Sequence, residues 1–370
     1  MVIGGGIVGL SVARELAGRG AEVTVVDRDG GDASRPGQAT RASLGVLGAP
    51  HGTTSPLHRL TALAHAGYAR FAADLELETG IGTGFRASGS LRLLENSVSP
   101  EARARREKAF RESGVPVRWL EGDEIRARAP GISPIFSTAL EISAESIVHP
   151  ARLLEALRAS CAKRSAQLLS DAGAARLSPT GDVELEKGGV LRDAEVVIAA
   201  GAWSTGAAGA GAPEVKPIRG QAMEIRLAWT GPNIRFAGLA PGFEYHIVGQ
   251  EGRAWVGSTV EDVGYDPVVT KEGVEELLAA ARRIFPDLTE SHIERTWVGL
   301  RPQARKTGGP FLGRLPGHEN AWIASGHYRS GIHLGPVSAR LLVHDMAEDE
   351  DALHAEGMDP ETWRAFSPSR

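Results

Sequence analysis

The stretch Gly4-Gly5-Gly6-Ile7-Val8-Gly9 constrains this chain more than any other. It fits G-x-G-x-x-G, and its surroundings carry the argument. Val2 and Ile3 precede it as the end of an apolar strand. Leu10, Ala13, Leu16 and Ala17 follow at helical spacing, and Gly18 and Gly20 end that helix. The next segment, "AEVTVVD", reads as a second buried strand ending in Asp27. Each part has a physical task. Gly4 permits the tight turn, Gly6 lets the backbone approach a pyrophosphate, and Gly9 lets the helix pack on the strand. The helix offers free N–H groups and the positive end of its dipole to the phosphates. Asp27 is placed to accept hydrogen bonds from ribose hydroxyls. Strand, motif, helix, strand and acid in this order specify an α/β nucleotide-binding unit, with FAD and NAD both open. Few residues precede Gly4, which leaves open whether residues upstream of Met1 complete the first strand.

At 370 residues the chain exceeds the size at which one core stops growing, so two domains are expected. A formal charge of −5 argues against a nucleic-acid partner, which favours a basic face. No stretch reaches the length of a membrane span, and none reads as a signal peptide. Cys161 is the single cysteine, so no intrachain disulfide can form. It falls on an expected helix over residues 149–163, beside Leu153, Leu154 and Leu157, and reads as a small buried residue. A cytoplasmic location is therefore expected. No cluster of His, Cys or Asp has metal-ligand spacing, and no Ser-His-Asp arrangement can be drawn.

Further on, "SRPGQATRASLGVLGAP" puts small residues and an arginine between the second strand and a helix expected over residues 56–79. "AEVVIAAGAWS" reads as a buried strand ending at Gly201. "WVGLRPQARKTGGPFLGRLP" and "GHYRSGIHLGP" (Gly326 to Pro336) follow. The set, in this order, resembles the FAD-dependent amine oxidases of the D-amino acid oxidase superfamily. The branch it is most similar to is that of glycine oxidase and its sarcosine oxidase relatives. The likeness covers nearly the whole chain, and "GLRP" with "GHYRSGI" are its most specific pieces.

The resemblance implies an α/β fold, α+β overall. A Rossmann-like FAD-binding domain is assembled from discontinuous segments, residues 1–83, 146–216 and 296–370. A substrate-binding domain with a large mixed or antiparallel sheet takes residues 84–145 and 217–295. The patterning agrees. Met223, Ile225 and Leu227 alternate with Glu224 and Arg226 as in a half-buried strand. "FEYHIVGQEGRAWVGSTVED" reads as a hairpin turning at Gly249–Gly252, "GSLRLL" as a short strand, and residues 271–285 as an amphipathic helix stopped by Pro286.

For chemistry, the resemblance implies hydride transfer from the carbon next to an amine to flavin N5, giving an imine that hydrolyses to an oxo acid while O2 becomes H2O2. The partners are then a small amino acid or amine and O2, with a homo-oligomer open. Arg301 in "GLRP" is implied as the carboxylate-binding arginine, since a guanidinium fork is the best fixed partner for a carboxylate. Tyr245 is implied as a hydroxyl that joins it, and Arg329 as a second carboxylate or flavin contact. Gly4, Gly6, Ile7, Val8, Gly9, Asp27 and Arg28 are expected at the nucleotide. Thr40, Arg41, Ala42, Ser43, Gly45 and Val46 match the flavin-lining segment, and Ala174, Gly201 and Trp203 further contacts. From Gly326, the residues Tyr328, Arg329, Ser330, Gly331, Ile332 and His333 are expected around the flavin. Pro336 suits the first turn of a helix whose positive end faces the reduced flavin. His333 stands where an apolar residue is expected. Relatives with covalent flavin use a cysteine near "GLRP". Cys161 is far from it, so FAD is expected to be non-covalent. Two rivals remain at this point: an FAD-dependent D-amino acid or hydroxy acid dehydrogenase that passes electrons to a carrier, and a non-catalytic flavin subunit of a larger complex.

Overall fold

A computed structural model describes residues 1–28, 36–52, 54–95, 98–170, 172–192, 195–237, 244–305 and 308–369. Ser34, Arg35, Ala194, Phe243, Lys306 and Thr307, which belong to stretches quoted above, lie outside the described residues.

The opening motif follows the two-residue strand Val2–Ile3 in the middle of a six-stranded sheet. Thr24–Asp27 and Val196–Ile198 flank it in parallel, and Gln167–Ser170 and Ala321–Ser325 extend the sheet in parallel on either side. Only the edge strand Phe311–Arg314 runs antiparallel. A parallel sheet buries both faces, which is why these strands read as continuous apolar runs. Val2, Val25 and Val197 face the helices Ile7–Gly18, Pro150–Lys163 and Gly331–Met346. Their neighbours Ile3, Val26 and Ile198 face a small sheet of Ala175–Leu177, Val183–Leu185 and Val190–Leu191. Cys161 is buried in the helix-side core, as its leucine face implied.

The second sheet is eight-stranded and mixed. Its order is Ile293–Ala304, Val215–Ile225, Arg253–Gly257, Glu244–Gln250, Asn233–Ala237, Ser90–Leu94, Thr138–Ile142 and Arg118–Glu121. Asn233–Ala237 and Ser90–Leu94 are the one parallel pair. The hairpin turns at Glu251 and Gly252, both left-handed, with φ +50° and +78°. That geometry suits a two-residue turn matched to strand twist. Helix Lys271–Ile284 covers one face through Leu277, Leu278, Ala281 and Ile284, and Thr270 caps it by accepting from the Gly273 N–H.

Three sequence expectations change. The strand Ile293–Ala304 is cut by the expected boundary at 295/296, yet it pairs along its length with Val215–Ile225. Arg301 thus sits on the large sheet. The strand expected through Leu227 ends at Ile225. The helix expected from Pro336 starts at Gly331 and carries Pro336 inside it. An internal proline leaves the carbonyl four residues back without its backbone partner. That carbonyl belongs to Ile332, and the buried Tyr68 hydroxyl donates to it at 3.0 Å. The side chain from helix Pro56–Thr79 replaces the missing bond, so the helix runs on to Gly331.

Candidate active site

Residues of both sheets line one cavity of about 1160 Å³. Gly4, Gly6, Ile7 and Val8 form its floor at one end, with Asp27 and Arg28 beside them. Gly6 is the N-cap of helix Ile7–Gly18 and supplies no side chain to the end of the helix. The Ile7 N–H donates to the Thr40 hydroxyl at 3.1 Å. A Cβ on Gly5 would stand 2.0 Å from the Asp27 carboxylate. Glycine there brings backbone and acid together. Asp27 also accepts from Arg158 Nη2 at 3.2 Å. The remaining N–H groups of the turn, a helix dipole and an acid at this end are the donor and acceptor set that an adenosine diphosphate requires. The cavity is large enough to continue well beyond it. These residues fit FAD.

Thr40, Ala42, Ser43 and Val46 line the same cavity, as do Ala174, Gly201 and Trp203. Arg28 stacks over the Trp203 ring at 4.1 Å. Tyr328, Arg329, Ser330, Gly331, Ile332 and His333 line it too. Helix Gly331–Met346 therefore points its first turn into the cavity, where its N–H groups favour negative charge.

Gly9, Arg41, Gly45 and Gly326 do not line it. Gly9 acts one layer behind, since a Cβ there would meet the Gly4 carbonyl oxygen at 1.9 Å. Gly45 (φ +78°) and Gly326 (φ +87°) hold turns pressed against Val148 and Ala304. Arg41 sits on the short helix Ala39–Ala42 that frames the wall.

Arg301 lines the cavity and is largely buried. Its guanidinium crosses the neighbouring strand above Gly220, where a Cβ would lie 2.1 Å from Nη2. Nη1 donates to the carbonyls of Arg219 at 3.2 Å and Thr259 at 3.1 Å, and Nη2 donates to the Ser258 hydroxyl. No carboxylate pairs with it among the described residues. Burial lowers its pKa to about 10, so it stays charged at neutral pH. Arg329 is exposed at the cavity edge, 5.1 Å from the Tyr328 ring centroid.

Tyr245 corrects an expectation. It faces the core, 5.7 Å from the Phe236 ring, and its hydroxyl donates to Glu276. The period of two along Glu244–Gln250 turns Glu244 and His246 to the cavity instead. Glu244 accepts from Arg92 and Arg235 at 2.5 and 2.8 Å. Burial opposes its charge, but those arginines hold it below the usual carboxylate range. His246 sits with Nδ1 3.3 Å from the Asn233 amide. Burial and then Arg235 push its pKa down to about 3, so it is neutral. Glu244, His246, Ser258 and Gly220 are site residues the sequence reading missed. The alternation around Tyr245 signals the first two, and a lone glycine within a strand pattern signals the last.

His327 and His333 are 4% and 5% exposed. His327 Nε2 lies 3.1 Å from the Ser338 hydroxyl, and His333 packs edge-on to His65 at 6.4 Å. Burial lowers their pKa values to about 4 and about 3. An unfolded histidine titrates near ~6.5. The unfolded chain thus takes up protons that the folded protein refuses. Stability is at its full value above that pH and is lost as pH falls towards the folded values. Each histidine should cost about 1 kcal/mol at ~pH 5.5. Thermal melts at ~pH 7.5 and ~5.5 should show a clear drop, smaller in His333→Leu. Equal melting temperatures would contradict the burial argument.

Among the described residues no helix is long and apolar enough to cross a membrane, and no group of acidic, histidine or cysteine side chains is arranged to hold a metal.

The chain matches the family model described as FAD dependent oxidoreductase over residues 1–344. It is 32% identical to a glycine oxidase of Pseudomonas aeruginosa, over 95% of this chain and 96% of that protein. A glycine oxidase of Geobacillus kaustophilus is 29% identical over 95% and 93%. The crystal structure of glycine oxidase from Geobacillus kaustophilus superposes with a TM-score of 0.85 at 28% identity, covering 100% of this chain and 97% of that one. An iminodiacetate oxidase from Chelativorans gives 0.79 at 28% identity, over 94% and 95%. Glycine floor, adjoining acid and a match across most of the chain agree: the protein belongs to the family of FAD-dependent oxidoreductases and takes FAD as its cofactor.

Proposed function

We propose that the protein oxidises glycine, an N-substituted glycine or another small amino acid, with O2 as electron acceptor and hydrogen peroxide as product. The observation that supports this most is Arg301. A charged guanidinium held on the cavity wall by two carbonyls and a hydroxyl, without a carboxylate pair among the described residues, is built for a substrate carboxylate. When bound, FAD supplies the two-electron acceptor, and the imine that leaves takes up water to give an oxo acid and an amine.

The chain's own residues orient and polarise. Arg301 fixes the carboxylate end, and Gly220 leaves the space in which it does so. His246, neutral and anchored through Asn233, offers one hydrogen-bonding group without adding charge. The first turn of helix Gly331–Met346, which lines the cavity, favours negative charge there. Cys161 is buried outside the cavity lining and burial pushes its thiol up to about 11, so FAD is held without a covalent link to it.

The test is oxygen uptake and peroxide release with a panel of glycine, sarcosine, other small amino acids and matched amines. Stoichiometric peroxide with at least one amino acid is expected, and acid precipitation should leave the yellow colour in solution. Reduction of an artificial carrier without oxygen uptake would make the protein a dehydrogenase. Colour retained on the polypeptide would overturn the non-covalent assignment.

A further inference from the structure

One buried arginine joins the two ends of the cavity. Arg219 lies on strand Val215–Ile225 and its side chain is 6% exposed. Its backbone exchanges hydrogen bonds with Glu261 at 2.9 and 3.0 Å. Its Nε donates to Glu261 Oε2 at 3.0 Å, and its Nη1 to Asp266 Oδ2 at 2.7 Å and to the Val268 carbonyl at 3.2 Å. A charge this buried, with both carboxylates on one segment, fixes the path of residues 258–268.

That segment touches the cavity twice. Near its start, Ser258 and the Thr259 carbonyl accept from Arg301. The Thr259 hydroxyl donates in turn to Glu261 Oε1 at 2.5 Å, and Gln221 Nε2 donates to the same oxygen at 2.8 Å. Towards its end, Tyr265 lies 5.9 Å from the Trp203 ring and donates to the Ala202 carbonyl at 3.0 Å. Trp203 lines the cavity beside Arg28, next to Asp27. The Glu261 half therefore braces the arginine at the substrate end. The Asp266 half braces the cover at the nucleotide end.

We propose that Arg219 is a positioning residue that sets both substrate affinity and cofactor retention, through Glu261 to Arg301 and through Asp266 to the Tyr265–Trp203 cover. The Glu261 half rests on the proposed carboxylate role of Arg301. The Asp266 half does not.

The two halves can be separated in the holoenzyme. Glu261→Gln should raise KM for the amino acid about tenfold, the size of a lost charge-assisted contact, with kcat and FAD affinity within about twofold. Asp266→Asn should weaken FAD about tenfold by fluorescence titration, with KM at saturating FAD within about twofold. Arg219→Met should move both, and Arg219→Lys should restore part of each. A general loss of stability would instead move both quantities together in every variant, which would overturn the proposal, as would no change in either. Arg301→Ala is run in parallel. If it leaves KM unaltered, the carboxylate role falls and the Glu261 half with it, while the FAD titration still decides the other half.

Discussion

Replacing Arg301 with alanine should lower kcat/KM on amino acids by about 30- to several-thousand-fold, equivalent to roughly 2–5 kcal/mol for a charge-assisted bidentate pair lost from a buried site. The loss should be much smaller on amines without a carboxylate. Arg301→Lys should recover little. The guanidinium is held by three acceptors on two segments, and an ammonium presents a point charge without the planar fork. FAD content should survive, because Arg301 hangs from the eight-stranded sheet and not from the glycine floor. Steady-state kinetics on glycine, sarcosine and a matched amine checks this. Equal losses on acids and plain amines would assign Arg301 to structure, and Arg329 would then be the next residue to examine.

The second large effect concerns Gly9. In Gly9→Ala the new methyl would lie 1.9 Å from the Gly4 carbonyl oxygen and 3.3 Å from the Ala199 Cβ. Backbone cannot step aside as a flexible side chain can. The helix Ile7–Gly18 must move off the strand, and its N–H groups leave the cavity floor with it. Overpacking of this kind costs about 1–3 kcal/mol in stability, and occasionally more. Cofactor affinity should fall further, because the shift strikes the glycine turn that lines the cavity, where the phosphates are expected. The purified variant should be largely colourless apoprotein, with FAD affinity weakened at least ~100-fold, or about 2.7 kcal/mol. A yellow protein with normal affinity would mean that the helix does not pack as described.

Much of the cofactor half was legible because its signals are local. A three-glycine turn between strand and helix needs no distant partner to be read, and Asp27 ends the next strand. The helix expected over residues 56–79 has the same bounds in the structure, where Ser55 caps its start, Pro56 opens it and left-handed Gly80 ends it, all local devices. The substrate half was harder because its geometry is set across strands. Tyr245 stands one residue from the cavity-facing positions, and a period of two sends it to the opposite face. Gly220 earns its place only from a side chain on the neighbouring strand. The start of helix Gly331–Met346 depended on Tyr68, far away in sequence, which replaces the bond Pro336 cannot make. The segment from Ser258 to Val268 carries no motif, and its importance comes from what Arg219 and Arg301 reach.

The most direct test of the whole account is anaerobic mixing of the holoenzyme with a small amino acid while the visible flavin absorbance is followed. Glycine or an N-substituted glycine should bleach the wild-type band. The same concentration should bleach Arg301→Ala far more slowly, and a carboxylate-free amine should treat both proteins alike. A wild-type band that no amino acid bleaches, or equal bleaching of the two proteins by the amino acid, would contradict the account.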